Sequence, residues 1–253
     1  MPLSRTCQTV APLARGAPLV DEPGAGPPLT LGTIPPAQPG PPAVLTEGPH
    51  ATQQIALTID DGFCADCIAQ SIEFAQRSGI HITFNPNGVY NELWTPSIVA
   101  GVRQMVANQQ VQIGNHTFNH WDVTKLSDTQ ITAQLEQNEE WIQQTYGITA
   151  RPWWRPPYGY HNQRTDELAA SIGYTNVLMW NGSYGDSTLL KPAELLNIAR
   201  QYFHPGAIML GHANYPTVTQ VFPQIAEIIA SRGLHPVTLD EMFGTSRSTG
   251  RSV

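Results

Sequence analysis

Asp60 and Asp61 stand side by side, and His116 and His120 lie four residues apart. Carboxylates and imidazoles are ligands for a divalent metal ion, so the spacing of the two pairs is the first thing to weigh. A single helical turn over 116–120 would bring both rings to one side, where they could share one ion. An isolated pair at this spacing more often decorates a loop, and the reading therefore needs a third ligand. The aspartates supply it: adjacent carboxylates at a strand end diverge, so that one can bind metal while the other faces a substrate water. Asp-Asp-Gly alone is more often a turn that ends a strand. Three protein ligands would leave positions open for water and substrate, as expected of a catalytic rather than a structural site.

Three other groups could complete such a site. His212 follows the apolar run Ala207-Ile208-Met209-Leu210 and could protonate a leaving amine near neutral pH; the plain alternative is a satisfied core histidine. Arg155, in Arg-Pro-Pro-Tyr-Gly, could orient a carboxylate through paired hydrogen bonds, or be a surface arginine on a Pro-rich loop. Trp153 and Trp154 beside it offer a flat apolar surface that could stack on a ligand ring or fill a core. Cys64 and Cys67 adjoin the candidate metal carboxylate, but a local disulfide or two buried thiols at a helix start is preferred to a redox or metal role.

Short apolar runs alternate with segments of helical period from Ile55 onward, the pattern of repeated βα units around a parallel sheet. Strands are predicted at 55–59, 81–84, 111–114, 176–179, 207–210 and 235–239. Helices are predicted from about Asp66 to a stop at Gly79, from Thr95-Pro96 onward, and from a Ser127/Gln130 capping box to Gly147. Further helices are expected at 163–172, 193–202 and 217–232, the last kinked at Pro223. Each unusual polar cluster falls just after a predicted strand. The expected architecture is thus α/β, a distorted (β/α) barrel whose strand C-termini converge on the active site.

The 253 residues suffice for one large α/β domain without staples. A formal charge of -7 with 13 Lys+Arg leaves no basic stripe for phosphates, so nucleic acid is not an expected partner. No apolar run is long enough for a transmembrane helix, and no signal-peptide core is visible. Residues 1–48 hold 11 of the 22 prolines and no aromatic residue, and are read as a Pro/Gly-rich disordered arm or linker. A catalytic domain over 49–245 and a flexible tail over 246–253 complete the expected organisation.

In order along the chain, Thr58-Ile59-Asp60-Asp61-Gly62, His116-Thr117-Phe118-Asn119-His120, Arg155-Pro156-Pro157-Tyr158-Gly159, Trp180 and Leu210-Gly211-His212 resemble the motifs of NodB-homology polysaccharide deacetylases, carbohydrate esterase family four. The resemblance covers roughly residues 51 to 243. It implies Asp60 as catalytic base, Asp61, His116 and His120 as metal ligands, His212 as general acid and Arg155 as the residue holding Asp60. It further implies a Tyr158 backbone amide that stabilises an oxyanion, and a pocket for the acetyl methyl group made by Trp180 and Leu210. The fourth motif departs from the family pattern, because Asp186 is followed by Ser187 rather than tryptophan. Asp186 is still a candidate partner of His212, while one wall of the sugar site lacks its usual ring.

The function expected from this resemblance is hydrolysis of N-acetyl groups on an N-acetylglucosamine polysaccharide such as peptidoglycan or chitin, with one divalent ion, zinc or alternatively cobalt. The rival readings are an acetylxylan esterase or small-amide hydrolase on the same scaffold, and a non-catalytic carbohydrate-binding protein. A monomer acting outside the membrane, or secreted, is expected from the substrate.

Overall fold

The computed structural model describes residues 34–245. Nine strands run in chain order: β1 (Ala43–Leu45), β2 (Gln54–Asp61), β3 (Ile82–Pro86), β4 (Val111–Ile113), β5 (Trp153–Trp154), β6 (Asn176–Leu178), β7 (Gly182–Ser183), β8 (Ile208–His212) and β9 (His235–Val237). All recorded pairings are parallel. One sheet has the order β4-β3-β2-β8-β7 with β9 added along the start of β2, and the other has the order β1-β6-β5. An isolated parallel bridge, Asn115 to Trp154, links the two. The α/β class is therefore as expected, whereas hydrogen bonds do not close a barrel among the described residues. The strands flanking the breaks, β5 and β7, are two residues long, too short to carry a continuous ladder.

Between the strands lie α1 (Ala65–Ser78), α2 (Pro96–Ala107), α3 (Asp128–Tyr146), α4 (Gln163–Ser171), α5 (Pro192–Tyr202), α6 (Thr217–Gln220), α7 (Phe222–Ser231) and α8 (Leu239–Phe243). Their ends follow the expected signals. Ser127 and Gln130 form the capping box of α3, and Gly147 stops it in the left-handed region that glycine tolerates. Gly79 ends α1 in the same way. In α1 the residues Ile68, Ile72 and Ala75 share the buried face, at spacings of four and three. Each buried isoleucine contributes about 1.5–3 kcal/mol of transfer free energy.

Three expectations are corrected. Residues 1–48 contain ordered chain: β1 pairs with β6 through Ala43, Val44 and Leu45, so part of the expected arm is sheet. Val44 and Leu45 supply the β-branched and apolar side chains that the prolines around them obscure. Residues 1–33 of that arm and the expected tail over 246–253 lie outside the described residues. The helix expected over 217–232 divides at Val221, and Pro223 sits in the first turn of α7, where its missing N–H costs no hydrogen bond. His116 to His120 is a loop, with Thr117 and His120 at positive φ (66° and 57°), and not a helical turn.

Candidate active site

β2 and β8 lie side by side with Asp60 opposite His212 in register, so a carboxylate and an imidazole end adjacent strands on one edge of the sheet. Asp61 is the last residue of β2 and adopts φ 68°, followed by Gly62 at 94°. This left-handed turn takes Asp61 out of strand geometry and separates its direction from that of Asp60.

Asp60 is nearly buried, and its Oδ1 accepts from Arg155 Nη1 (2.8 Å) and Asn85 Nδ2 (2.8 Å). Arg155 is fully buried and also donates to Thr58 Oγ1 (2.7 Å) and to the carbonyls of Leu178 and Met179 (3.3 Å each). Burial holds the Arg155 guanidinium below its ordinary pKa, and the Asp60 charge opposes that shift. The expected pairing of Arg155 with Asp60 is present, and it engages only one carboxylate oxygen. Asp60 Oδ2 lies 3.7 Å from His116 Nε2.

The Asp61, His116 and His120 ligand atoms lie within 4.8 Å of one another. Asp61 Oδ1 is 3.4 Å from the Nε2 of each histidine, and it is a buried acceptor with no hydrogen-bond partner. Its other oxygen accepts from Asn214 Nδ2 at 2.5 Å. His116 Nδ1 lies 2.8 Å from the Arg155 carbonyl, which can only accept, so Nδ1 carries a proton; whenever the ring is neutral, its lone pair is on Nε2, on the side of Asp61.

The charges agree with a cation site. Burial opposes ionisation of Asp61, yet His116, His120 and Asn214 together hold its carboxyl below the usual range. Burial likewise opposes a proton on His116, but Asp60 and Asp61 raise its pKa on balance. His120 is pushed down to about 4, by burial first and by the positive charge of His116 next. The pocket thus favours one positive charge among these groups. An orphaned buried carboxylate oxygen facing two imidazole nitrogens, with the donor set of two nitrogens and one oxygen, fits a divalent ion of the zinc type.

Asp186, which the fourth motif left in question, accepts from the His212 backbone amide (2.9 Å) and lies 2.9 Å from His212 Nδ1. Burial lowers the His212 pKa, but Asp186 outweighs it and raises the value to about 9. Tyr158 adopts φ 59°, its ring 4.5 Å from that of His120, and its amide donates to no group among the described residues. Trp180 packs against Gly159, where an added Cβ would fall 2.7 Å from the indole, and lies 5.7 Å from the Arg155 guanidinium. Leu210, half-buried on β8, pairs with Thr58 of β2, two residues before Asp60.

Trp153 and Trp154 are both fully buried, so neither offers a surface to a sugar; Trp153 Nε1 donates to Asp240 Oδ1 (2.8 Å). Cys64 and Cys67 form a disulfide across the first turn of α1, the bland alternative of the sequence reading.

Several supporting residues escaped the sequence reading. The histidine loop is tied down by α3: Gln134 accepts the amides of Phe118 (3.1 Å) and Asn119 (2.7 Å), and Asn138 donates to Asn115 Oδ1 (2.9 Å). Asn115 in turn accepts the Thr117 amide at 2.9 Å. Asn85 reaches Asp60 only because residue 114 is glycine, where a Cβ would stand 2.2 Å from Asn85 Oδ1. A polar stripe on α3 within an otherwise apolar buried face was the one available signal.

Fold and site together define a parallel α/β protein whose strand ends gather Asp61, His116 and His120, a set that could hold a metal ion, and two buried carboxylate pairs. The family model described as polysaccharide deacetylase matches residues 47–177, and the chain belongs to that family, the NodB-homology group of carbohydrate esterase family four. It is similar to a peptidoglycan-N-acetylglucosamine deacetylase of Bacillus cereus, with 24% identity over 208 residues, 79% of this chain and 72% of that protein. A solved peptidoglycan N-acetylglucosamine deacetylase in complex with 4-naphthalen-1-yl-N-oxidanyl-benzamide superposes with a TM-score of 0.72 at 25% identity, covering 81% of this chain and 94% of the other. A family-four pseudoenzyme from Bacillus anthracis shares the fold with a TM-score of 0.70 at 21% identity, over 79% and 69% of the two chains.

Proposed function

We propose that this chain hydrolyses the N-acetyl group of N-acetylglucosamine units in a polysaccharide such as peptidoglycan or chitin. The observation that carries the reading is the pairing of Asp60 with His212 across β2 and β8, beside the Asp61-His116-His120 cluster. Asp61, His116 and His120 would hold a divalent ion. A divalent cation, zinc or cobalt, supplies Lewis acidity, making water more acidic and an acetyl carbonyl more electrophilic.

Asp60 takes the proton from the attacking water through Oδ2, while Arg155 and Asn85 hold Oδ1 and so fix the carboxylate's direction. The water oxygen bonds to the acetyl carbon. The Tyr158 amide donates to the oxygen that gains charge, and Trp180 with Leu210 surrounds the acetyl methyl group. His212, kept protonated by Asp186, gives its proton to the nitrogen as the carbon–nitrogen bond breaks, leaving acetate and a free amine.

Intact base, acid and ligand set favour catalysis over the non-catalytic reading, although a fold of this family also serves a pseudoenzyme. Acetylxylan is the substrate to compare, because the same groups would cleave an ester. Similarity to peptidoglycan deacetylases supports action outside the membrane, and the protein is proposed to act as a monomer; no described helix is long and apolar enough to cross a membrane. Acetate release from N-acetylglucosamine oligosaccharides and from acetylxylan, measured side by side, tests this reading: release from acetylxylan alone would replace the amide substrate with the ester.

A further inference from the structure

β2 and β3 pair with Asp61 opposite Pro86, and proline has no N–H to give at that row. The next residue supplies one. The amide of Asn87 donates to the Asp61 carbonyl at 3.2 Å, while its side-chain Nδ2 donates to the carbonyls of His116 (2.6 Å) and Thr117 (2.9 Å). Both side-chain partners can only accept, so the orientation of the Asn87 amide follows from its contacts. One fully buried residue thus bonds the backbones of Asp61 and His116, which belong to β2 and to the loop after β4.

The histidine loop needs such a hold, because Thr117 stands at φ 66°, where a β-branched residue is an outlier that its surroundings must enforce. Its two backbone groups are both taken. Asn115 Oδ1 accepts the Thr117 amide at 2.9 Å and is itself held by Asn138 of α3, whereas Asn87 takes the Thr117 carbonyl and leads back to Asp61. Asn87 is fixed in its turn. Asn138 Nδ2 donates to the Pro86 carbonyl (3.0 Å) and Asn138 Oδ1 accepts the Gly88 amide (2.7 Å), so α3 grips the chain on either side of it. Asn87 Oδ1 is buried without a hydrogen-bond partner, an unfavourable state, which leaves the two N–H donors as what this side chain contributes.

We propose that Asn87 is a positioning residue that sets His116 against Asp61, so that both meet a divalent ion in a geometry already formed. The inference rests on Asp61, His116 and His120 as ligands and goes beyond that reading. It names the residue that makes two separate segments one site.

Titration of the metal-free protein with cobalt(II), followed by its visible ligand-field bands and by competition with a chelator of known affinity, tests this. Asn87→Ala should weaken cobalt binding about 10- to 100-fold, the range for residues that orient a metal ligand, and should shift the bands of the saturated protein. Asn87→Ser keeps one donor on a shorter side chain; it should shift both readouts in the same direction, and it decides the matter if Asn87→Ala does not fold. Ile68→Val serves as control. It removes one buried methyl group from α1, lowering stability without touching the loop, and should keep the parent's affinity and bands. Parent affinity in both Asn87 variants, bands at the parent positions in both, or an equal loss in Ile68→Val would overturn the positioning role. Failure of the parent to bind cobalt would remove the ligand set and this inference with it. Cobalt binding that depends on Asn87 in a protein that releases no acetate would support the role and remove the hydrolytic reading instead.

Discussion

Asp186 holds His212 at two points, its Oδ1 2.9 Å from the ring Nδ1 and its Oδ2 accepting the backbone amide at 2.9 Å. The carboxylate orients the ring and keeps it charged, raising its pKa to about 9 against the effect of burial. A raised histidine pKa means the acid form is full at neutral pH and is lost as pH rises through that value. The alkaline limb of the rate profile should therefore fall near 9. In Asp186→Asn it should move down by at least about one unit, toward the ordinary histidine value near 6.5. An unmoved limb would assign that limb to another group. The stabilising contribution of the pair has the same sign: full below about 6.5, and lost through about 9.

Removal of Asp60's basicity is the second test. Asp60→Asn keeps the side-chain shape, and Asn85 and Arg155 still border it, so metal content should persist while kcat falls by at least about 10²-fold. Metal analysis and turnover on one preparation decide this. Near-normal kcat would remove the proposed base.

Asn214 offers a third test. Its bond to Asp61 Oδ2 leaves Oδ1 to face both histidines. Asn214→Ala should weaken metal affinity about 10- to 100-fold, as expected for a residue that orients a ligand. Competition with a chelator of known affinity measures it, and wild-type affinity would show that Asp61 needs no such partner.

These tests also separate what could be read along the chain from what could not. Asp60, Asp61, His116, His120 and His212 stand out because titratable residues at strand ends are few and their motifs are local. The loop that carries His116 and His120 was not legible, because its positive-φ turns are set by Gln134 and Asn115, residues far away or chemically commonplace. Asn85 and Asn214 were missed for the same reason: an amide's role depends on the partner that folding brings to it. Trp153 and Trp154 suited either a sugar face or a core, and only their depth in the sheet decides.

The strand β1 carries the fourth prediction. Ala43–Leu45 pairs with β6 among prolines that hide it in the sequence. A protein starting at residue 34 should melt as the full chain does. One starting at Glu47 should lose about 1–2 kcal/mol, a drop in Tm of about 2–8 °C. Thermal unfolding of the two truncations distinguishes them, and equal melting would show that β1 adds nothing to stability.

The claim that everything else depends on is metal-dependent cleavage of an acetamide by this site. Its most direct measurement follows acetate and free amine together, released from an N-acetylglucosamine oligosaccharide by the intact protein, after chelation and after zinc or cobalt is restored. The account predicts equal amounts of both products with metal, none after chelation, and no recovery in His120→Ala at metal levels that restore the parent. Unchanged release from thoroughly metal-free protein, or none from metal-loaded protein, would contradict it.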